Sequence, residues 1–229
     1  LSDEYARGSI EEFCRTVSTG STQIFFFLIP FALYLVVFAT PLISIFGTRF
    51  SEEAIVLASV YLAARAPSLP VYGVGMYLQK VFSSTRKMGL FALANMLGSA
   101  LQIVLLLFVA PHIGLWFVPF TSCIFFAFFD AFMFVFLKRD YPFIALRPIF
   151  AGILRSIALG ALGAAVGWII LHFATPFFAA HFSLLVRSVL LCAVAGIPSV
   201  AVTYGVAIAL KVPEAGVVSA LISRLRKRG

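Results

Sequence analysis

The sequence predicts an all-α fold, a polytopic transmembrane bundle of about six spanning helices. Of its 229 residues, 62% are hydrophobic and only 11% are charged, and the mean hydropathy is +1.07. Soluble domains contain about 45–50% apolar and about 25% charged residues, so this excess of apolar surface has to face lipid. The apolar residues also form long runs, and a run of about 20 residues crosses the roughly 30 Å of bilayer hydrocarbon as a helix.

Six such runs follow one another along the chain, separated by short stretches that contain glycine, proline or charged residues. We predict one span for each run: 24–46, 54–82, 88–110, 113–137, 150–173 and 184–210.

Residues 1–21 precede the first span and are predicted to form a connecting helix at the membrane surface. Ser9 and Glu12 have the spacing of a capping box, in which each side chain satisfies a free backbone N–H at a helix start. Phe13 and Val17 give this helix a modest apolar face, which suits the headgroup region. An ordinary cytoplasmic linker is the alternative. Because the first residues resemble the end of one helix leading into another, we expect the chain to be the C-terminal portion of a longer protein.

The basic residues predict the orientation, because lysine and arginine are retained on the cytoplasmic side during insertion. With both ends of the chain cytoplasmic, 14 of the 17 basic residues fall on that side, and only Arg49 and Arg187 fall on the other. The external connections are then 47–53, 111–112 and 174–183. The cytoplasmic anchors, which would contact anionic lipids, include Lys80, Arg86 and Lys87, and the basic tail 224–228 is interpreted as a further anchor.

Prolines inside the first two spans predict kinks, because each removes a backbone hydrogen bond and crowds the preceding turn. Pro30 lies in the first span, and Pro67 and Pro70 lie in the second, followed by Gly73. These four residues are candidate hinges. Static bends that shape helix packing are the alternative.

Two ionisable residues fall well inside spans and are the candidates for a translocation path: Arg65 and Asp130. A charge at bilayer depth is costly, so such residues usually face a bundle interior or a wet cavity. Arg65 in a cavity would suit an anionic headgroup such as a pyrophosphate. A structural ion pair with Asp130 and snorkelling to the interface are the alternatives. The predicted depths of the two residues differ by about 9 Å, at 1.5 Å per residue. For Asp130 a structural role is favoured.

Several other functions lack support in the sequence. The three cysteines form no pair with disulfide or zinc-site spacing, so we expect no metal centre and no cofactor. No nucleophile–base set, Walker loop or HExxH motif is present, which argues against an enzyme. The basic residues lie singly or in short clusters between apolar runs, and this pattern predicts lipid rather than nucleic acid as the partner.

Spaced residues along nearly the whole chain resemble the C-terminal half of the MurJ/MviN family. They are Leu1-Ser2 through Glu11-Glu12-Phe13, Pro30 and Pro41, Gly47 and Phe50, Gln79-Lys80-Val81-Phe82, and Gly114-Leu115. These proteins are lipid II flippases of the multidrug/oligosaccharidyl-lipid/polysaccharide exporter superfamily.

The resemblance implies a larger two-lobe transporter of fourteen helices around a central cavity. Residues 22–140 would be the four-helix part of its C-terminal lobe, and residues 141–229 two additional helices with a basic tail. It also implies a bacterial cytoplasmic membrane location, an undecaprenyl-pyrophosphate-linked precursor as substrate, and an upstream N-terminal lobe as partner. The chain departs from the family at 82–87, where it is shorter and lacks a proline.

The predicted function is therefore transbilayer movement of lipid II by alternating access. Two alternatives remain: an exporter of another lipid-linked oligosaccharide or small molecule, and a non-transporting membrane scaffold for cell-wall enzymes.

Overall fold

The computed structural model describes residues 10–216, and every regular element within this range is helical. The helices are α1 (Ile10–Val37), α2 (Ala39–Phe46), α3 (Glu52–Arg65), α4 (Ser68–Ser84), α5 (Met88–Val104), α6 (Ala110–Ile113), α7 (Phe117–Asp140), α8 (Leu146–His181) and α9 (Leu184–Ala209), with a π-helical turn at Leu105–Val109 and a 3₁₀ turn at Pro213–Ala215.

Five helical stretches in the described range are long and apolar enough to cross a membrane. They are α1, α7, α8, α9 and the continuous stretch Met88–Ile113. The pair α3 and α4 passes the same test when taken together, as one span broken by a bend of 46°. The predicted all-α bundle of about six spanning helices is confirmed, and the chain is a multi-pass membrane protein.

The first helix corrects the prediction of a separate surface helix. α1 continues through residues 21–22 without a break. Ser18 and Thr22 satisfy their hydroxyl groups within the helix by donating to carbonyls four residues earlier, at 3.0 and 2.8 Å. Phe13 and Val17 are fully buried rather than facing headgroups. Ser9 of the predicted capping box and the basic tail 224–228 lie outside the described residues. The division of the chain near residue 140 into two parts stays a prediction.

The break in the first span lies at Phe38, and Pro30 does not interrupt α1. Pro41 explains this position. Its nitrogen has no proton for the carbonyl of Val37, and its ring crowds that same carbonyl. Phe38 therefore leaves helical geometry, with φ −94° and ψ 11°, and α2 begins at the next residue.

Two predicted connections move in the structure. The turn before α7 lies at Gly114 rather than at 111–112, and the φ of 111° at this residue is one that glycine adopts without strain. The predicted connection 174–183 is mostly helix, since α8 runs through Pro176 to His181. A proline in a helix costs one backbone hydrogen bond, whereas unwinding among apolar residues would leave many backbone groups unpaired. Thr175 also donates its hydroxyl proton to the carbonyl of Leu171, at 2.6 Å.

The helices form a row in which α1 separates two apolar cores. On one side, α1 packs with α4 and α7 around fully buried side chains such as Leu78, Val74 and Met133. On the other side it packs against α8, which in turn packs against α9. Small residues at Gly160, Gly163 and other positions on α8 allow this close approach, as expected for ordinary intramolecular helix packing.

Candidate functional site

The candidate site lies where the broken span bends. α3 ends at Arg65 and α4 begins at Ser68, and Pro67 stands between them. Neither Pro67 nor Pro70 can donate a backbone proton to the preceding turn, so the α-helical ladder fails here. Local bonds replace it: the N–H of Leu69 bonds the carbonyl of Ala66 at 3.1 Å, and the Ser68 hydroxyl donates to the carbonyl of Arg65 at 2.7 Å. The bend has the predicted cause, and its motion as a hinge stays a prediction.

Arg65 is held at the bend by side chains from two other spans. One guanidinium nitrogen, Nη1, donates to the Ser122 hydroxyl on α7 at 2.5 Å. Gln102 on α5 donates its amide protons to the hydroxyls of Thr121 and Ser122, at 3.1 and 3.5 Å. These four residues are called the Arg65 cluster below.

The Arg65 cluster combines buried hydroxyls with an exposed cation. Thr121 and Ser122 are buried, whereas Arg65 is exposed. Among residues 10–216 Arg65 has no carboxylate partner, and its other N–H donors are free of protein acceptors. One guanidinium nitrogen is therefore bonded within the protein, and the remaining donors are available to an external anion.

Asp130 does not join this cluster. It lies eight residues after Ser122 on α7, which corresponds to about 12 Å along the helix. Its side chain is 5% exposed, and neither carboxyl oxygen has a hydrogen-bond partner in the described part of the chain. The alternative of an Arg65–Asp130 ion pair is wrong, because Arg65 bonds Ser122 instead. Asp130 lies next to Gly75 on α4, where a built Cβ would stand 3.1 Å from Oδ1.

The other two candidate hinge residues lie at sites of close helix packing. A Cβ built on Gly73 would collide with the Leu28 side chain on α1, and a Cβ built on Gly160 would lie 2.9 Å from the Cα of Pro30. Both residues thus bring helices into contact, and the described backbone is unbroken at each.

The candidate anchors lie at the end of α4 and in the turn that follows it. Lys80 is exposed, and Arg86 has a φ of 57° in the turn before α5. Lys87 forms an ion pair with Asp140 at 2.7 Å and lies over the Tyr141 ring at 5.2 Å. Contact of these residues with anionic lipids stays a prediction.

Sequence reasoning missed how the polar residues combine. Gln102, Thr121 and Ser122 are residue types that hydrogen-bond between membrane helices, but their spacing in the sequence gives no sign that they surround Arg65. No group of three or more His, Cys, Asp or Glu residues in the range 10–216 is arranged to hold a metal ion.

Comparison with known families gives a match over part of the chain. The MatE family model matches residues 1–108. The match covers 108 of the 229 residues, so this part of the chain is similar to MATE-type exporters. Members of that family are transporters. The matched range contains the broken span and Gln102, and it ends before α7. No curated protein and no solved structure matches the sequence.

Proposed function

We propose that the chain is the C-terminal six-helix part of a bacterial flippase that moves lipid-linked peptidoglycan precursor, lipid II, to the outer leaflet by alternating access. The MatE match supports membrane export. The resemblance to the MurJ/MviN family supports the lipid-linked substrate. The observation that carries the proposal is an exposed arginine at the break of a membrane span.

Depth makes this arginine unusual. Arg65 ends the 14-residue helix α3, so it lies about 20 Å from the start of its span. That distance reaches well into hydrocarbon about 30 Å thick, where a charge is expensive unless it faces a cavity or a partner. The hydroxyl of Ser122 is a neutral partner and does not cancel the charge. An anionic ligand would cancel the positive charge of Arg65.

The guanidinium fits a pyrophosphate. It presents five N–H donors in a planar fork that can bond two phosphate oxygens at once. In the proposed mechanism Arg65 holds the pyrophosphate of the undecaprenyl-linked precursor, while the polyprenyl tail stays in lipid beside α8 and α9. A change in the bend at Pro67 and Pro70 would move Arg65 relative to Ser122 and expose the site to the opposite side.

The proposal also includes an N-terminal lobe and the membrane lipids around the chain. An upstream N-terminal lobe would enclose the Arg65 cluster, and the stretch Met88–Ile113 offers it an open surface, since only 11% of its most apolar part is buried. The protein would lie in the bacterial cytoplasmic membrane with both ends of this chain cytoplasmic. Lys80 and Arg86 would then contact anionic lipids of the inner leaflet.

The test replaces Arg65 in the full-length protein. Arg65→Ala and Arg65→Lys are expressed in cells depleted of the wild-type protein, and the fraction of lipid II that an external enzyme can reach is measured. Charge-assisted hydrogen bonds contribute about 1.5–3 kcal/mol, so we expect Arg65→Ala to lower the transport rate by about 10-fold or more, and Arg65→Lys to retain part of it. Arg49→Ala is the matched control, because it removes the same charge from a loop away from the bend.

Normal exposure of lipid II with normally expressed Arg65→Ala would contradict the role of Arg65. Unchanged exposure after depletion of the whole protein, in a host without a second flippase, would favour export of another lipid-linked oligosaccharide or a small molecule. The MatE match is equally compatible with that second function.

A further inference from the structure

A cavity lies between α2, α8 and α9, at the end of the bundle where α8 turns into α9. Its volume is about 620 Å³. Ser44 of α2, Trp168, His172 and Thr175 of α8, and Arg187 and Ser188 of α9 contribute to its walls. It is separate from the Arg65 cluster, which α3, α5 and α7 form.

Among the described residues, Arg187 is the only arginine, lysine or carboxylate residue in the wall of this cavity. Within residues 10–216 its guanidinium forms no ion pair and no side-chain hydrogen bond. Local helix energetics do not explain a cation here, because Arg187 lies in the first turn of α9, at the positive end of the helix dipole. An anion in the cavity would offset both the unpaired charge of Arg187 and its repulsion by the positive end of the helix dipole.

The hydroxyls in the wall are neutral and leave the charge uncompensated. Ser44 and Ser188 are buried, and each donates its proton to a carbonyl of its own helix, at 2.8 and 2.7 Å. Their oxygens add polar groups to the wall and supply no negative charge.

The position and the aromatic residues of the cavity indicate a lipid as the source of the anion. Arg187 is three residues from the start of α9, about 5 Å along the helix, which is near headgroup depth for a span that begins at the membrane surface. Trp168 is 59% exposed and stacks on His172, with ring centroids 5.7 Å apart. Trp168 lies thirteen residues before the end of α8, about 20 Å along the helix, so it belongs to the deeper part of the cavity, where an acyl chain would lie.

We propose that this cavity binds the phosphate of an anionic phospholipid from the leaflet at that end of the bundle. Arg187 pairs with the phosphate, the wall hydroxyls and His172 surround the headgroup, and an acyl chain leaves past Trp168. A volume of about 620 Å³ falls in the range of about 300–1,000 Å³ that is usual for small-ligand pockets and accommodates a glycerophosphate headgroup. The site does not depend on which substrate the protein transports.

The two tryptophans of the chain make the proposal testable by fluorescence. In the full chain carrying Trp116→Phe, Trp168 is the remaining tryptophan and lies in the cavity wall. The protein is reconstituted in phosphatidylcholine vesicles with a fixed fraction of brominated phosphatidylglycerol or brominated phosphatidylcholine. We expect the anionic lipid to quench Trp168 more strongly, with a relative affinity several-fold above that of phosphatidylcholine.

Arg187→Gln should abolish this preference, and Arg187→Lys should keep part of it. Arg49→Gln is the matched control, because it removes a positive charge from the same end of the bundle outside the cavity, and it should leave the preference intact. The Trp168 emission maximum in unbrominated vesicles reports whether Arg187→Gln keeps the fold, and if that variant unfolds, the Lys variant and Arg49→Gln decide between the outcomes.

Equal quenching by both lipids in the parent would overturn the proposal, as would an equal loss of preference in Arg49→Gln and Arg187→Gln. Relief of quenching by millimolar soluble phosphate would identify a free anion as the ligand. Displacement of phosphatidylglycerol by a small amount of a polyprenyl pyrophosphate would identify the transported lipid instead. Either of these results would also replace the phospholipid assignment.

Discussion

Gly163 on α8 lies where three helices meet, and a methyl group added there should separate them. A Cβ built on this residue would stand 2.6 Å from the backbone carbonyl of Ser199 and 2.9 Å from the Tyr34 hydroxyl, and it would overlap the hydroxyl of Thr203. The contact with Ser199 is to backbone, which cannot rotate out of the way. Gly163→Ala therefore has to move α9 away from α8.

The displaced groups include a short hydrogen-bond chain across all three helices. Tyr34 on α1 donates to Thr203 on α9 at 2.5 Å, and Thr203 donates to the carbonyl of Leu159 on α8 at 3.2 Å. Overpacking a tight contact costs about 1–3 kcal/mol, and interhelical hydrogen bonds in membranes contribute about 0.6 kcal/mol each. Alanine recovers about 1 kcal/mol through its higher helix propensity. The net expectation is a loss of about 1–3 kcal/mol in the free energy of unfolding.

Gly196→Ala on α9 is the matched control, because a Cβ built there meets nothing within 4 Å. It gains the same helix propensity without a clash, so it should be neutral or raise the stability by up to about 1 kcal/mol. Both variants are unfolded by SDS titration in mixed micelles, with helical circular dichroism as the readout. A Gly163→Ala variant as stable as Gly196→Ala would refute the argument from close contact.

The ion pairs and the buried carboxyl give two further predictions. Arg155→Leu leaves Glu214, 6% exposed, without its partner at 2.7 Å, and since Arg155 itself is 40% exposed we expect a loss of about 1–3 kcal/mol in the same assay. Lys87→Gln breaks the more exposed pair with Asp140 and should cost under about 1 kcal/mol, so equal losses in the two variants would contradict the burial argument. Asp130→Asn keeps the shape of a buried side chain that has no partner among residues 10–216. Because a neutral amide costs no more to bury than an unpaired carboxyl group, the melting temperature of this variant should stay unchanged or rise. A clear drop in its melting temperature would indicate an ionised Asp130 with a partner outside the described residues.

The long apolar runs of the sequence and its prolines were enough to predict most of the secondary structure. Long apolar runs have one low-energy form in lipid, because a helix satisfies every backbone group within the segment. The break at Pro67 followed from the missing N–H of proline. The proline rule predicted a kink at Pro30, whereas the break lies at Phe38, and the predicted span 150–173 stops short of the end of α8 at His181. The cost of one proline is small enough for neighbouring packing and side-chain bonds to decide where a helix stops.

The candidate site, too, was predictable from the sequence only in part. The sequence by itself identified Arg65, because a charge inside an apolar run is recognisable without any structure. Only the tertiary structure showed that Arg65 bonds Ser122, 57 residues later in the chain. It also showed that Asp130 is buried in the core, away from Arg65. Likewise, Arg187 was recognisable only as a basic residue near a loop, and the cavity around it needed three helices to form. Partners of this kind depend on how the helices rotate and cross, and those angles are set by contacts between residues far apart in the chain, such as Gly163 with Thr203, which no local pattern encodes.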